Sequence, residues 1–269
     1  MKYKVGFPAT EEWSMLLGWL MQHGINVNPR GMNTKEIINF TSSVDMRSPV
    51  VLMKDRKLSY NFMCAEAHMI ITGSNKVEDI IKYAPSISKF SDSGVVFQGA
   101  YGPKVSEQMQ YVVETLIDDP SSRQAIISIW REMPRKSKDI PCTLTMQFLL
   151  RRNKLDMVVN MRSSDAWLGW PYDVFTFSMI AWYVCLRICG AIGSGLTGTT
   201  PGTLHLNAGS QHLYEKNWKQ AHSCLTAEDI PPASGVYGDI LGLSFDTMNT
   251  SRDLVDALYH RMDAEIVLF

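Results

Sequence analysis

The stretch DIPCTLTMQFLLRRNKLDMVVNMRSSDAWLGWPYD, residues 139–173, holds one cysteine, Cys142, directly after a proline. Twenty residues later comes the pair Arg162 and Ser163, followed by Asp165 and Asp173, eight residues apart. A thiol attacks carbon only as a thiolate, and nearby cations lower its pKa enough to make one. Arginine beside a hydroxyl is also a phosphate-recognition pair. Arg123, in a Ser-Ser-Arg turn, is a further candidate for an anion. Taken alone, each has a plainer use: an isolated cysteine in an apolar chain is usually a small core residue, and a lone arginine is usually a solvated charge. Their company points to a nucleophile beside an anion.

Those groups must be held by a mixture of strands and helices. Residues 11–23 predict a helix with an apolar stripe of Trp13, Leu16, Leu17 and Leu20. NPRGMN reads as a turn before a strand, TKEIINFTSSV. Residues 61–73 predict a helix ending at Gly73, and 104–118 another, stopped by DDPSSR. VVFQGAYG reads as a strand entering a glycine-rich loop; AIISIW, LTMQFLLRR and KLDMVVNMRS read as strands. YDVFTFSMIAWYVCLRICGAI predicts a long apolar helix. The order lacks the regular alternation of a parallel wind, so the expected class is mixed α/β (α+β), one domain over 1–269.

Bulk properties narrow the partners. The chain has 269 residues, 45% hydrophobic and 20% charged, enough for a sizeable core. A net charge of -1 argues against duplex nucleic acid but not against a small anion. The five cysteines make no CxxC pair, which disfavours a metal site or a disulfide framework and suggests a reducing cytoplasm. The beginning, MKYKVGFPATEEW, lacks an apolar signal core, and no run is expected to span a membrane.

Glu66, Tyr101 with Gly102, DPSSR at 119–123, Pro141-Cys142 with Gln147 five later, RSSDAWLGWPYD at 162–173 and HLY at 212–214 occur in one order. That ordered set resembles the thymidylate synthase family over about residues 30–220. The resemblance implies a homodimer with sheets packed back to back, a pyrimidine nucleotide substrate and 5,10-methylenetetrahydrofolate as co-substrate. It implies that Cys142 adds to carbon 6 of the base, so that carbon 5 can attack the one-carbon unit. Arg162 would keep the sulfur anionic and bind the phosphate with Ser163; Arg123 would reach the phosphate across the dimer interface. Gln124 stands where the family usually has a second arginine, and Arg30, matching an early phosphate-loop arginine, is displaced by one place. Glu66 would move protons through water, and Tyr101 would help remove the proton from carbon 5. Asp165 would hold the folate pterin, with Glu66 and Gly169 on the folate side. His212 and Tyr214 would bind the sugar 3'-hydroxyl.

Asp173 bears on the base. Uracil-using members carry asparagine there, whereas cytosine reverses the donor and acceptor on its edge. A carboxyl at 173 therefore points to a cytosine nucleotide, dCMP first, with a CMP- or dUMP-specific relative as the alternative, although an aspartate could also cap the helix that follows. VVNMRSSD is similar to the phage deoxycytidylate hydroxymethylase branch. Methylating members carry tryptophans in the segment written here YAPSISKFSDSG, which has Phe90 instead; a wetter site favours a hydroxymethyl product. The apolar EIVLF at 265–269 could close over the folate, which favours a methyl product. A catalytically silent nucleotide-binding relative is the reading from another class; joint presence of Cys142, Glu66 and Asp165 argues against it.

Overall fold

The computed structural model describes residues 6–131, 133, 136–226, 241 and 243–266. At its centre lies strand β7 (Thr200–Tyr214), which the sequence reading did not anticipate. Asn207, Ser210, Gln211 and two glycines interrupt its apolar alternation, so it reads as loop until its neighbours are known. Close approach explains one glycine: a Cβ on Gly202 would lie 2.2 Å from Asp156 Oδ1.

Around β7 the sheet builds outward on both sides. Strands β1 (Ile25–Val27), β2 (Thr34–Asp45), β3 (Ile126–Ser128), β4 (Thr143–Arg151) and β5 (Lys154–Met161) give the order β1-β2-β7-β5-β4-β3. The short β6 (Ser164–Asp165) pairs beside β7. β2 and β4 run antiparallel to their neighbours, while β5 and β6 run parallel to β7. The sheet is therefore mixed, as expected. β4 and β5 form a hairpin whose two turn residues, Arg152 and Asn153, have φ of 53° and 58°. Two consecutive positive φ values match the twist of the flanking strands.

Helices cover the sheet. α1 (Ala9–His23) buries Trp13, Leu16, Leu17 and Leu20 completely, the predicted stripe. Its Trp13 indole donates to Ala166 O at 2.7 Å, tying the helix to the segment after β6. α2 (Tyr60–Ile71) is capped by the Ser59 hydroxyl and carries Glu66. α3 (Glu78–Ile81), α4 (Gly102–Asp118), α6 (Trp218–Thr226) and α7 (Ser251–Met262) complete the outer layer. α5 (Trp170–Cys189) is apolar on all sides because it is buried; 72% of its most apolar window lies inside the protein. By length and composition alone this helix could cross a membrane, which corrects the expectation that no run approaches that length.

One strand expectation fails and another is met only in part. VVFQGAYG, 95–102, contributes only an isolated bridge between Lys76 and Val96, then a turn into α4. AIISIW contributes three residues to β3, because Ile129 and Trp130 both donate to Leu144 O, which breaks the ladder. The five cysteines are free; Cys64, Cys185 and Cys224 are buried among apolar side chains.

Candidate active site

The β4–β5 pairing decides where the thiol sits. Thr143 faces Met161 in register, so Cys142 and Arg162 lie opposite one another just beyond the paired ends, joined by Arg162 N–H to Cys142 O at 2.8 Å. Twenty residues of sequence become one ladder step. The Arg162 guanidinium then folds back over the loop. Its Nε donates to Pro141 O at 2.9 Å and its Nη2 to Ile140 O at 3.1 Å. Nη2 also lies 3.6 Å from Cys142 Sγ, and the Ser163 hydroxyl 3.7 Å from the same sulfur. Burial pushes the Cys142 thiol up from its usual pKa, and Arg162 with Ser163 pulls it back down.

Cys142 opens onto a cavity of about 260 Å³ that Glu66, Tyr101 and Asp173 also line. Four elements converge there: α2 brings Glu66, the start of α4 brings Tyr101, the loop before β4 brings Cys142, and α5 brings Asp173. The Tyr101 hydroxyl accepts from Thr143 N–H at 3.2 Å, so its O–H points elsewhere. Burial, with the Asp173 and Cys142 charges, drives the phenol well above its ordinary pKa. Burial also lifts the Glu66 carboxyl to about 7, partly offset by a 3.5 Å hydrogen bond from Thr176. Asp173 is raised well above the carboxylate range by burial and then by Glu66 and Asp165. It does not cap α5: Gly169 occupies that place, and Asp173 N–H bonds Gly169 O inside the first turn.

A second, more open cavity of about 650 Å³ adjoins the first at Cys142 and is lined by Arg30, Lys138 and Arg162. Three cations beside a thiol suit a phosphate. Arg30 sits at φ 55° in the turn Pro29–Gly31, a left-handed conformation that side chains rarely adopt.

The other predicted residues lie around these cavities rather than in their walls. Asp165 accepts Trp167 and Leu168 N–H at 2.8 and 3.0 Å through one oxygen. It pairs in register with His212 of β7, whose ring meets Tyr214 edge-on at 5.1 Å. Gly169 leaves room for a carboxylate: a Cβ there would stand 3.3 Å from Asp173 Oδ2. Arg123 is exposed and far from Cys142 of its own chain. Its carbonyl bonds the Gln147 side chain, five residues along β4, or roughly 16 Å at the usual strand rise.

Sequence reasoning passed over Thr176, Lys138 and Asp139. Thr176 is one turn beyond Asp173 on α5, a spacing that could have flagged it. Asp139 stands three residues before the thiol in DIPC and lines the same cavity. Of the EIVLF segment, residues 267–269 lie outside the described residues.

Comparison with known proteins gives this arrangement its context. Two similar curated proteins carry the name deoxyuridylate hydroxymethyltransferase. The one from Bacillus phage SP01 is 28% identical over 254 residues, 86% of this chain and 62% of its own length. The one from Pseudomonas phage M6 is 25% identical over 177 residues, 62% of this chain and 48% of its own length. The chain thus spans about half to two thirds of these relatives. A profile of the family described as Thymidylate synthase matches residues 11–237, and the chain belongs to that family.

Proposed function

We propose that this chain is a folate-dependent transferase that hydroxymethylates carbon 5 of deoxycytidylate. The observation that carries the reading is the convergence of Cys142, Tyr101, Glu66 and Asp173 on one cavity, with Arg30, Lys138 and Arg162 beside it. In this reading the phosphate lies among the three cations, and the base reaches inward past the sulfur. Cys142 Sγ adds to carbon 6, which loads carbon 5 with electron density. Bound 5,10-methylenetetrahydrofolate supplies the carbon that carbon 5 takes. The apolar wall of Met69, Ile80, Ile87, Phe90 and Phe97 fits a flat heterocycle stacked against the base. Glu66, near half-protonated at neutral pH, both gives and takes protons. Tyr101 stays a neutral phenol and relays a proton rather than holding one.

Asp173 reads the base. A neutral carboxyl offers one donor and one acceptor: its C=O accepts from the 4-amino group of cytosine and its O–H donates to N3. Turned over, the same acid serves uracil. That favours a second reading, deoxyuridylate, which is also the substrate in the names of the two phage relatives. Phe90 and Ile87 in place of bulkier aromatics supports water, not hydride, as the final reactant.

A homodimer belongs to the same proposal, with Arg123 serving the partner's phosphate. On the sheet face away from the helices, Thr41, Asn207, Asn160 and Thr145 form a hydrogen-bonded ladder across β2, β7, β5 and β4, at 2.9, 3.2 and 3.0 Å. A polar ladder with its partners satisfied suits a face covered by a second sheet.

The test is tritium release from [5-³H]dCMP and from [5-³H]dUMP with methylenetetrahydrofolate, followed by mass analysis. The first reading requires faster release from dCMP and a product heavier by a hydroxymethyl group. Release from dUMP alone supports the second reading, and a rise in dihydrofolate absorbance marks methylation instead.

A further inference from the structure

Asp139 and Ile140 are common to three cavities around the thiol: the one holding Cys142 and Tyr101, the open cationic one, and a third of about 250 Å³ toward Trp130 and Arg131. Asp139 therefore stands where the two more open cavities meet the apolar one that holds the thiol. Its position is fixed from several directions. Oδ2 accepts Gly99 N–H at 2.7 Å, and its own N–H donates to Ser137 Oγ at 3.0 Å. The next two carbonyls are held by Arg162. A Cβ on Gly99 would lie 2.6 Å from Asp139 O, so the two segments pack at backbone contact. One carboxylate oxygen is thus committed to the backbone, while the residue still borders Cys142.

Hydroxymethyl transfer needs a water brought to the new carbon and relieved of a proton. Glu66 is tied to Thr176 on the α5 side, next to Asp173. Asp139 approaches from the solvent side, beside Phe90. Resting on the hydroxymethyl reading above, we infer that Asp139 is the general base for this water. The water oxygen bonds to the exocyclic methylene carbon and its proton passes to the Asp139 carboxylate. The methylene π electrons move to the ring, the ring double bond between carbons 5 and 6 re-forms, and the bond from carbon 6 to Cys142 Sγ breaks to return the thiolate. Burial, reinforced by the Asp92 charge, raises the Asp139 pKa, which makes it a stronger base.

The experiment compares the unmutated protein with Asp139→Asn and Asp139→Ala. Each receives [5-³H]dCMP, or dUMP if that is the base used, with methylenetetrahydrofolate, with and without 2-mercaptoethanol as a competing nucleophile. Asparagine keeps the acceptor for Gly99 N–H and loses the base. Expected for Asp139→Asn is about a 10²-fold rise in tritium released per hydroxymethyl product, with thiol adduct replacing that product. An unchanged ratio in Asp139→Asn overturns the inference. A ratio altered only in Asp139→Ala also overturns it, since the Gly99 contact would then be the whole role. Tritium release lost together with product overturns it too, because the defect would precede the water step. Methyl product from the unmutated protein would overturn the hydroxymethyl reading itself, an outcome the other three do not produce.

Discussion

Arg162 lies one ladder step from Cys142, its guanidinium 3.6 Å from the sulfur and bonded to the two carbonyls before it. The same side chain therefore shapes the nucleophile's loop and opposes the burial that would keep the thiol protonated. Arg162→Ala should raise the Cys142 pKa and so lower the thiolate fraction at neutral pH severalfold. Iodoacetamide alkylation of Cys142 across pH, followed by peptide mass analysis, checks this. Equal alkylation rates in both proteins would mean the arginine does not tune the sulfur.

Glu66 carries a stability cost with a defined sign. Its folded carboxyl keeps the proton to about 7, against 4.5 when free. Folding therefore takes up a proton between those values, and this group makes the protein less stable as pH rises from 4.5 to 7. Glu66→Gln should gain stability relative to the parent above pH about 7, by about 3 kcal/mol as an upper bound, and little below pH about 4.5. Urea unfolding at several pH values measures the difference. Turnover in the same variant should fall and lose any inflection near neutrality.

Asp173→Asn should shift base preference toward dUMP, because an amide cannot pass a proton to cytosine N3 and pair with it as a carboxylate, yet still offers uracil a donor and an acceptor. The expected change in the ratio of kcat/KM for dCMP over dUMP is about 10- to 100-fold. An unaltered ratio would falsify the role assigned to this carboxyl.

Gly169→Ala is a probe of the same carboxyl from behind. The helix start accepts alanine in backbone terms, since Gly169 has φ -99°. The added methyl meets Asp173 Oδ2 at 3.3 Å, so the carboxylate must shift by a few tenths of an ångström. KM for the nucleotide should rise severalfold while the melting temperature changes little; binding by calorimetry and a thermal melt report the two separately.

Arg123 gives a test of the dimer. If it serves the partner, Arg123→Ala and Cys142→Ser are each defective alone, yet a mixed dimer has one intact site. Refolding equal amounts together should restore roughly a quarter of parental activity, because half the dimers are mixed and each holds one good site of two. No recovery on mixing would place Arg123 outside the partner's site.

Local patterns in the chain were sufficient for α1, α2, α4 and α5, though not for α3, α6 and α7. The stripe of Trp13, Leu16, Leu17 and Leu20, the stop before Gly73 and the apolar run of α5 depend on spacing that one segment contains by itself. The ordered motifs likewise named the thiol, its arginine and the acids. Tertiary structure decided the rest, because it depends on neighbours distant in sequence. β7 becomes the middle of the sheet only through β2 and β5, and its glycines are called for only because Asp156 and Arg162 approach them closely. VVFQGAYG, apolar enough for a strand, makes only the single bridge from Val96 to Lys76 and turns into α4 instead. Asp173 and Glu66 are 107 positions apart, and only the packing of α2 on α5 puts both carboxyls in one desolvated space. Residue types set what chemistry is possible; the shared burial, which no single segment encodes, sets which protons those residues hold.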